Sequence, residues 1–275
     1  MSLYCCEQLD ASTPFGSCKT EFANDSARTT DENTPPAAVP TCPTRPTWPD
    51  TSMWFCECLR AREASQSSLW PRPMRSMYES FRAYLVIALL NLCLPVDVTH
   101  ATVAYLDRLG LPDMAADAWR DALVCVLLAS KTFLSEGQYL SNENHAQFMG
   151  CSKAQLAHWE MDMCAHLEGR LLVVTPIDFL GFTLSALQDV LTPEEHARVC
   201  VLSIEFANKT LLSTGLMCTA APSRIAAACV LSAFRIFGGK RGVWDAHCKA
   251  WTASDKADQY SEESLCECCK VLERI

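Results

Sequence analysis

Apolar residues recur every three or four positions along most of the chain after Met53, which is the spacing of one face of an α-helix. An early example is the series Phe81, Leu85, Ala88, Leu89 and Leu92. No run of residues alternates between apolar and polar in the way that a half-buried β-strand would. The pattern therefore predicts an all-α protein.

Two of the predicted helices should be buried on most of their surface, because their residues are apolar on nearly every side. The first covers residues 119–130, and the second covers residues 222–237, PSRIAAACVLSAFRIF, before Gly238-Gly239 ends it. Each lies within a block of about 90 to 100 residues, as expected for a small helical bundle. We interpret the blocks as a duplicated helical lobe, with the first lobe and a preceding helix over residues 53–172 and the second lobe and a tail over residues 173–275.

Helix boundaries are marked by prolines, glycines and capping residues. Pro95 should interrupt the chain, and Asp97 is a plausible N-cap for a helix through Leu109 that Gly110 ends. Three further helix starts carry an N-cap hydroxyl with a side-chain acceptor three residues later: Ser152 with Gln155, Thr175 with Asp178 and Thr192 with Glu195.

The beginning of the chain has a different composition. Residues 8–50 are rich in Thr, Pro, Ser, Asp and Ala, with few large apolar side chains. Such a segment buries too little surface to offset the entropy of ordering it. We therefore predict a disordered leader over residues 1–52, either as a plain tether or as a carrier of regulatory sites at Thr13-Pro14 and Thr34-Pro35.

Charge and hydropathy argue against two classes of partner. A formal net charge of −9 is unfavourable for a general nucleic-acid binder, whose affinity comes from neutralising phosphates. The most apolar stretch, from Ile225 to Phe237, is too short to span a bilayer and contains Arg235. We expect neither a nucleic-acid nor a membrane partner.

The seventeen cysteines are interpreted as reduced thiols. The sequence lacks the two CxxC pairs of a zinc ribbon, and no signal peptide is visible in its first residues. Several cysteines should act as small apolar residues inside helices: Cys93, Cys125, Cys164, Cys200 and Cys229. Near the end of the chain an amphipathic closing helix is favoured over a mobile tail: Leu265, Cys266, Cys268, Cys269, Val271 and Leu272.

No motif of an active site or cofactor site is present. The six histidines are scattered, and there is neither a GxSxG elbow nor a glycine-rich phosphate loop. We expect a protein without catalytic residues, metal or cofactor. Two charged residues stand out in apolar helices, Lys131 and Glu160. They could be solvated helix positions, or a polar anchor at a protein interface.

Several motifs of a known protein family occur in this sequence in the same order, and they favour the interface interpretation of the two charged residues. LVCVLLASK, ending at Lys131, resembles the first cyclin box, as does VAYLDRLG with Asp107 and Arg108. PSRIAAACVLSA resembles the corresponding helix of the second box. The resemblance covers about residues 57–237 and implies two tandem five-helix cyclin-box lobes. It also implies that the chain activates a cyclin-dependent protein kinase, contacting it through Lys131 and Glu160.

Two segments are most similar to D-type cyclins. LLVVTPIDFL resembles a sequence that D-type cyclins show at this place, and Leu3, Cys5 and Glu7 form an LxCxE motif. In those relatives LxCxE binds retinoblastoma-type pocket proteins. The resemblance therefore implies a pocket-protein partner, a role in entry from G1 into S phase, and a nuclear and cytoplasmic location.

The family's substrate-docking patch is altered in this sequence. Its counterpart consists of Phe81, Tyr84, Leu85 and Ala88, with Ala88 where the family has Trp. Loss of a large anchor should weaken docking of short hydrophobic motifs, unless Phe81 and Tyr84 are simply core residues. Arg82 and Asp107 resemble a conserved internal ion pair.

Two other functions stay open from the sequence. One is a divergent or virally captured cyclin-fold adapter that no longer activates a kinase. The other is a cyclin-fold transcription factor resembling transcription factor IIB, which would be expected to carry a zinc ribbon and a basic face.

Overall fold

The computed structural model describes residues 49–66, 76–110, 115–135, 137–185, 187–239, 243–251 and 257–274. The first six helices are α1 (Pro49–Gln66), α2 (Ser76–Asn91), α3 (Val96–Leu109), α4 (Ala115–Phe133), α5 (Asn142–Phe148) and α6 (Lys153–His166). The next six are α7 (Pro176–Ser185), α8 (Pro193–Thr210), α9 (Thr214–Thr219), α10 (Pro222–Ile236), α11 (Val243–Trp251) and α12 (Glu262–Leu272). A short 3-10 helix, Ala257–Tyr260, precedes α12.

The prediction of an all-α fold is confirmed, since the described residues contain helices and no strand. Helices α2 to α6 form a first lobe of five helices around α4, whose buried side chains include Val124, Cys125 and Leu127. The second lobe surrounds α10, in which every residue from Ile225 to Phe234 is buried. It has five helices of nine residues or more, together with the six-residue α9.

Helix α1 precedes the first lobe in sequence but packs on the second. Its Cys56 is buried in the core of the second lobe. Arg62 and Gln66 each donate a hydrogen bond to the carbonyl oxygen of Leu172, at 2.7 and 3.0 Å. The amide oxygen of Gln66 in turn accepts from the backbone N–H of Val174 at 3.0 Å. Helix α1 therefore holds the segment that connects the lobes, which its sequence position does not indicate.

Capping boxes start two helices where the sequence predicted them. Ser152 and Gln155 exchange side chain–backbone hydrogen bonds at the start of α6. Thr192 and Glu195 do the same at the start of α8.

Three other local features of the sequence have different outcomes. The proposed N-cap at Asp97 is wrong, because α3 begins directly after Pro95 and Asp97 lies in its first turn. Cys93 is exposed, with φ of 51°, in the turn after α2, so it is not a helical core residue. The closing helix is confirmed as α12, which buries Leu265, Cys268, Cys269 and Leu272.

Candidate functional site

The charged residues Lys131 and Glu160 form an ion pair between two helices of the first lobe. Lys131 lies in the last turn of α4, and its Nζ donates a hydrogen bond to Oε1 of Glu160 in α6. Their side chains are 29% and 13% exposed, so the pair lies at the edge of the core with one side open to solvent. Such a position suits a polar anchor in a protein interface.

The position of the pair follows from how the two helices are built. The residues of α4 just before Lys131, from Val124 to Ser130, are all buried, so the helix leaves the core at the lysine. His145 is buried and interacts electrostatically with both charges of the pair, and its Nε2 is 3.1 Å from the carbonyl oxygen of Leu123. Burial lowers the pKa of His145, which favours a neutral ring.

Two exposed apolar side chains lie on α6, which carries Glu160, and on α5, the helix before it. Met161 is 65% exposed next to Glu160 in α6, and Phe148 is 55% exposed at the end of α5. Large exposed apolar side chains beside a charged anchor are typical of protein-binding surfaces. Neither residue was predicted from the sequence. A signal was available, because Met161 and Met163 are two positions apart and cannot both face the core of one helix.

Arg82 and Asp107 also lie together, and they are deeply buried. Nε and Nη2 of Arg82 donate to Oδ1 and Oδ2 of Asp107 at 2.5 and 2.6 Å. Nη1 of Arg82 donates to the carbonyl oxygen of Leu211 at 2.5 Å, at the C-terminal end of α8. The bidentate pair therefore joins α2 and α3 and extends to a helix of the second lobe.

The four residues of the altered docking patch differ in their exposure. Tyr84 is 51% exposed, and its ring meets Trp119 edge to face with centroids 5.9 Å apart. Leu85 is buried in the first core, so it offers no surface to a partner. Phe81 and Ala88 are half-buried, and Phe81 packs against that same core. Of the four, only Tyr84 is available as an exposed contact.

The LxCxE residues Leu3, Cys5 and Glu7 lie outside the described part of the chain, as do residues 1–48 of the predicted leader with Thr13 and Thr34. Residues 49–52 were also predicted to belong to the leader, but they lie in α1.

A cavity of about 60 Å³ lies between the lobes, lined by residues of α1, α3 and α10 and by the connecting segment. Next to it His100 of α3 is buried, with its Nε2 3.3 Å from Oδ1 of Asn208 in α8. Burial lowers the pKa of His100 to about 4, partly offset by the contact with Asn208. The contact between His100 of the first lobe and Asn208 of the second therefore involves a neutral histidine.

Within the described ranges, no three His, Cys, Asp or Glu side chains are grouped so that they could hold a metal ion. Among the described cysteines, Cys125, Cys164 and Cys229 form no disulfide. None of the described helices is long and apolar enough to cross a membrane.

Comparison with known proteins agrees with this architecture. Residues 174–275 match the family described as cyclin, C-terminal domain. No curated protein sequence matches the chain. A similar fold is found in a viral cyclin from herpesvirus saimiri, with a TM-score of 0.58 and 14% identity, over 81% of this chain and 96% of that one.

Two chains from larger assemblies are similar as well. One belongs to the CAK complex of Chaetomium thermophilum, with a TM-score of 0.55, 16% identity and coverage of 84% of this chain and 75% of that one. The other belongs to the yeast TFIIK complex, with a TM-score of 0.54, 15% identity and coverage of 78% and 93%. At such identities the likeness bears on the fold alone. The sequence match covers the second lobe, and the described residues share the fold of these solved structures.

Proposed function

We propose that this protein is a regulatory subunit that binds and activates a cyclin-dependent protein kinase. The observation that carries the proposal is the partly exposed ion pair between Lys131 and Glu160, with the exposed Met161 next to Glu160 in α6 and the exposed Phe148 at the end of α5. A rigid charged anchor sets the orientation of a partner, and the apolar side chains supply contact area. The family resemblance of the two charged residues indicates that this partner is the kinase.

Activation would proceed by a shift in the kinase's conformational equilibrium. A protein kinase is active when its own Lys–Glu ion pair and its activation loop are in place. A subunit that binds that state more tightly raises its population by its differential affinity. The protein would thus supply binding energy and no catalytic group, as a regulatory subunit does.

The test is to capture purified cyclin-dependent kinases with the full-length chain and measure kinase activity. Lys131→Ala combined with Glu160→Ala should lose binding and activation. The matched control is Lys153→Ala with Glu143→Ala, which removes an exposed pair of the same lobe with an N–O distance of 2.9 Å. The control should behave as wild type. Equal loss of kinase binding in both double variants, or no kinase captured by wild type, would contradict the role of Lys131 and Glu160. Capture of a kinase without activation would favour the adapter function.

We further propose that the protein acts at entry into S phase, in nucleus and cytoplasm, and binds retinoblastoma-type pocket proteins through Leu3, Cys5 and Glu7. The LxCxE motif and the TPIDF segment support this D-type assignment. Glu7→Ala should abolish binding to a purified pocket domain and leave kinase binding intact. Glu21→Ala, a glutamate of the same leader outside the motif, is the control and should bind as wild type does. Unchanged affinity of Glu7→Ala would contradict this role of the motif.

Docking of short hydrophobic substrate motifs through α2 is proposed to be weak. Ala88 supplies little contact area where the family has Trp, and Leu85 is buried in the core of the first lobe, where it cannot contact a substrate. Tyr84→Ala should then change substrate turnover by the assembled kinase by less than about threefold, because a single rim contact contributes little. A large loss specific to substrates with a hydrophobic motif would show that docking is retained.

A further inference from the structure

Helix α8 of the second lobe carries an exposed face with an apolar centre. Val201 is 60% exposed and Ile204 is 38% exposed, and Ala197 one turn earlier is exposed as well. The opposite side of the same helix buries Val199 and Phe206 in the core of the second lobe. The helix is therefore held firmly while its outer apolar residues face solvent. We call Ala197, Val201 and Ile204, with the charged residues described next, the α8 face.

Four exposed charged residues run along one side of these apolar residues: Glu194, Arg198, Glu205 and Lys209. At 100° per residue they lie with Ala197, Val201 and Ile204 within about 140° of the helix circumference. None of the four forms an ion pair with another side chain in the described part of the chain. Lys209 lies over the ring of Phe206 in the same helix, with its Nζ 5.7 Å from the ring centroid.

The order of these charges is self-complementary in one arrangement. If a second α8 lies antiparallel across the first, with the two-fold axis between positions 201 and 202, Glu194 faces Lys209 and Arg198 faces Glu205. By symmetry each contact occurs twice. The apolar residues Val201 and Ile204 then meet at the centre.

Other arrangements bring like charges together. A shift of one turn in one direction places Arg198 opposite Lys209, and a shift in the other direction places Glu194 opposite Glu205. In a parallel pair every charge faces its own copy. Like charges in contact disfavour those registers, so the charge pattern selects one geometry.

We propose that the α8 face is an interface between two copies of this chain, arranged antiparallel about a two-fold axis. The face belongs to one helix, so the buried area lies at the low end of protein interfaces and association should be weak, with a Kd of roughly tens to hundreds of micromolar. The interface lies in the second lobe, whereas Lys131 and Glu160 lie in the first. The proposal therefore does not depend on the proposed kinase binding.

The test is sedimentation of the full-length chain under reducing conditions at concentrations up to about 1 mM. Wild type should show a concentration-dependent dimer. Arg198→Glu and Glu205→Arg, each alone, place like charges in contact twice, and each should weaken association about tenfold or more. The double variant restores both contacts with exchanged signs and should dimerise again. A mixture of the two single variants should form a heterodimer for the same reason.

Val201→Glu provides the apolar test and should abolish the dimer, with an unchanged thermal midpoint showing that α8 still folds. A photo-crosslinker at position 201 reports the occupant directly: a product of twice the chain mass supports the proposal. A cross-link within one chain to residues 1–48 would instead identify the leader as the occupant and overturn it. The proposal would also be overturned if wild type stays monomeric up to 1 mM, or if the charge reversals do not weaken the dimer.

Discussion

Glu63 of α1 caps the central helix of the second lobe through Ser223, 160 positions later in the chain. The backbone N–H of Ser223 donates to Oε1 of Glu63 at 2.7 Å, and its hydroxyl donates to Oε2 at 2.9 Å. The N-cap residue of α10 is Ala221, which has no side chain able to cap. The hydroxyl of Tyr260 completes the network by donating to Oγ of Ser223 at 3.0 Å. A carboxylate from a distant helix therefore satisfies the start of α10.

Loss of this carboxylate should destabilise the fold. Glu63→Ala leaves the buried N–H of Ser223 without an acceptor, and we expect the free energy of unfolding to fall by about 1–3 kcal/mol. Urea unfolding followed by circular dichroism measures the change. Asp189→Ala removes an exposed carboxylate from a turn and should stay within about 0.5 kcal/mol of wild type. Equal effects of the two substitutions would contradict the capping role.

Stability should fall in acid because of His100. Its folded-state pKa of about 4 lies below the ordinary value of 6.5, so the unfolded chain binds the proton first. Stability is therefore full above pH 6.5 and is lost as the pH falls towards 4. The loss is at most about 1.4 kcal/mol per pH unit for one proton.

His100→Gln removes this titration, so its unfolding free energy should vary less with pH over that range than the wild type's. The measurement is a series of urea unfolding curves from pH 7 to about pH 4, the range that linkage assigns to this group. The matched control is Asn142→Gln, an exposed neutral residue at the start of α5, which should keep the wild-type slope. A His100→Gln slope equal to that of wild type would show that other groups govern the acid sensitivity.

Breaking the buried pair of Arg82 and Asp107 should be costly. Asp107→Ala leaves a guanidinium buried without its carboxylate, and the expected loss is about 3–5 kcal/mol of unfolding free energy. Arg82→Met combined with Asp107→Leu removes both charges and should cost less than Asp107→Ala alone. Denaturant midpoints of the single and double variants give the comparison. A double variant less stable than Asp107→Ala would mean that the bond from Arg82 to Leu211 dominates.

Two glycines should respond in opposite directions to the same substitution. A Cβ at Gly239 would lie 2.3 Å from Cδ1 of the buried Phe234 ring, whereas a Cβ at Gly181, within α7, meets nothing within 4 Å. Gly239→Ala should therefore lower the unfolding free energy by about 1–3 kcal/mol, because the ring must move. Gly181→Ala should raise it by about 0.5–1 kcal/mol, since alanine favours the helix. Thermal melting of both variants measures the two changes. A stabilised Gly239→Ala or a destabilised Gly181→Ala would contradict the prediction.

Local features of this protein were predictable from the sequence alone. The capping boxes of α6 and α8 involve residues three positions apart, so the same short segment specifies the start of the helix and its hydrogen bonds. The buried central helices α4 and α10 were predictable because apolar residues on all sides leave a helix no solvent face. The amphipathic helix α12 was predictable because its apolar residues recur every three or four positions.

Contacts between distant segments were decided only by the tertiary structure. The packing of α1 on the second lobe and the capping of α10 by Glu63 join residues 160 positions apart, and no periodicity encodes such a pairing. Likewise, Leu85 and Tyr84 are neighbours in one apolar helix, and only the packing of α2 buries the first and exposes the second. Hydrophobic patterning determines which residues form helices, because it acts within a few turns. The partner of each helix face depends on the shapes of surfaces that exist only once the lobes have formed.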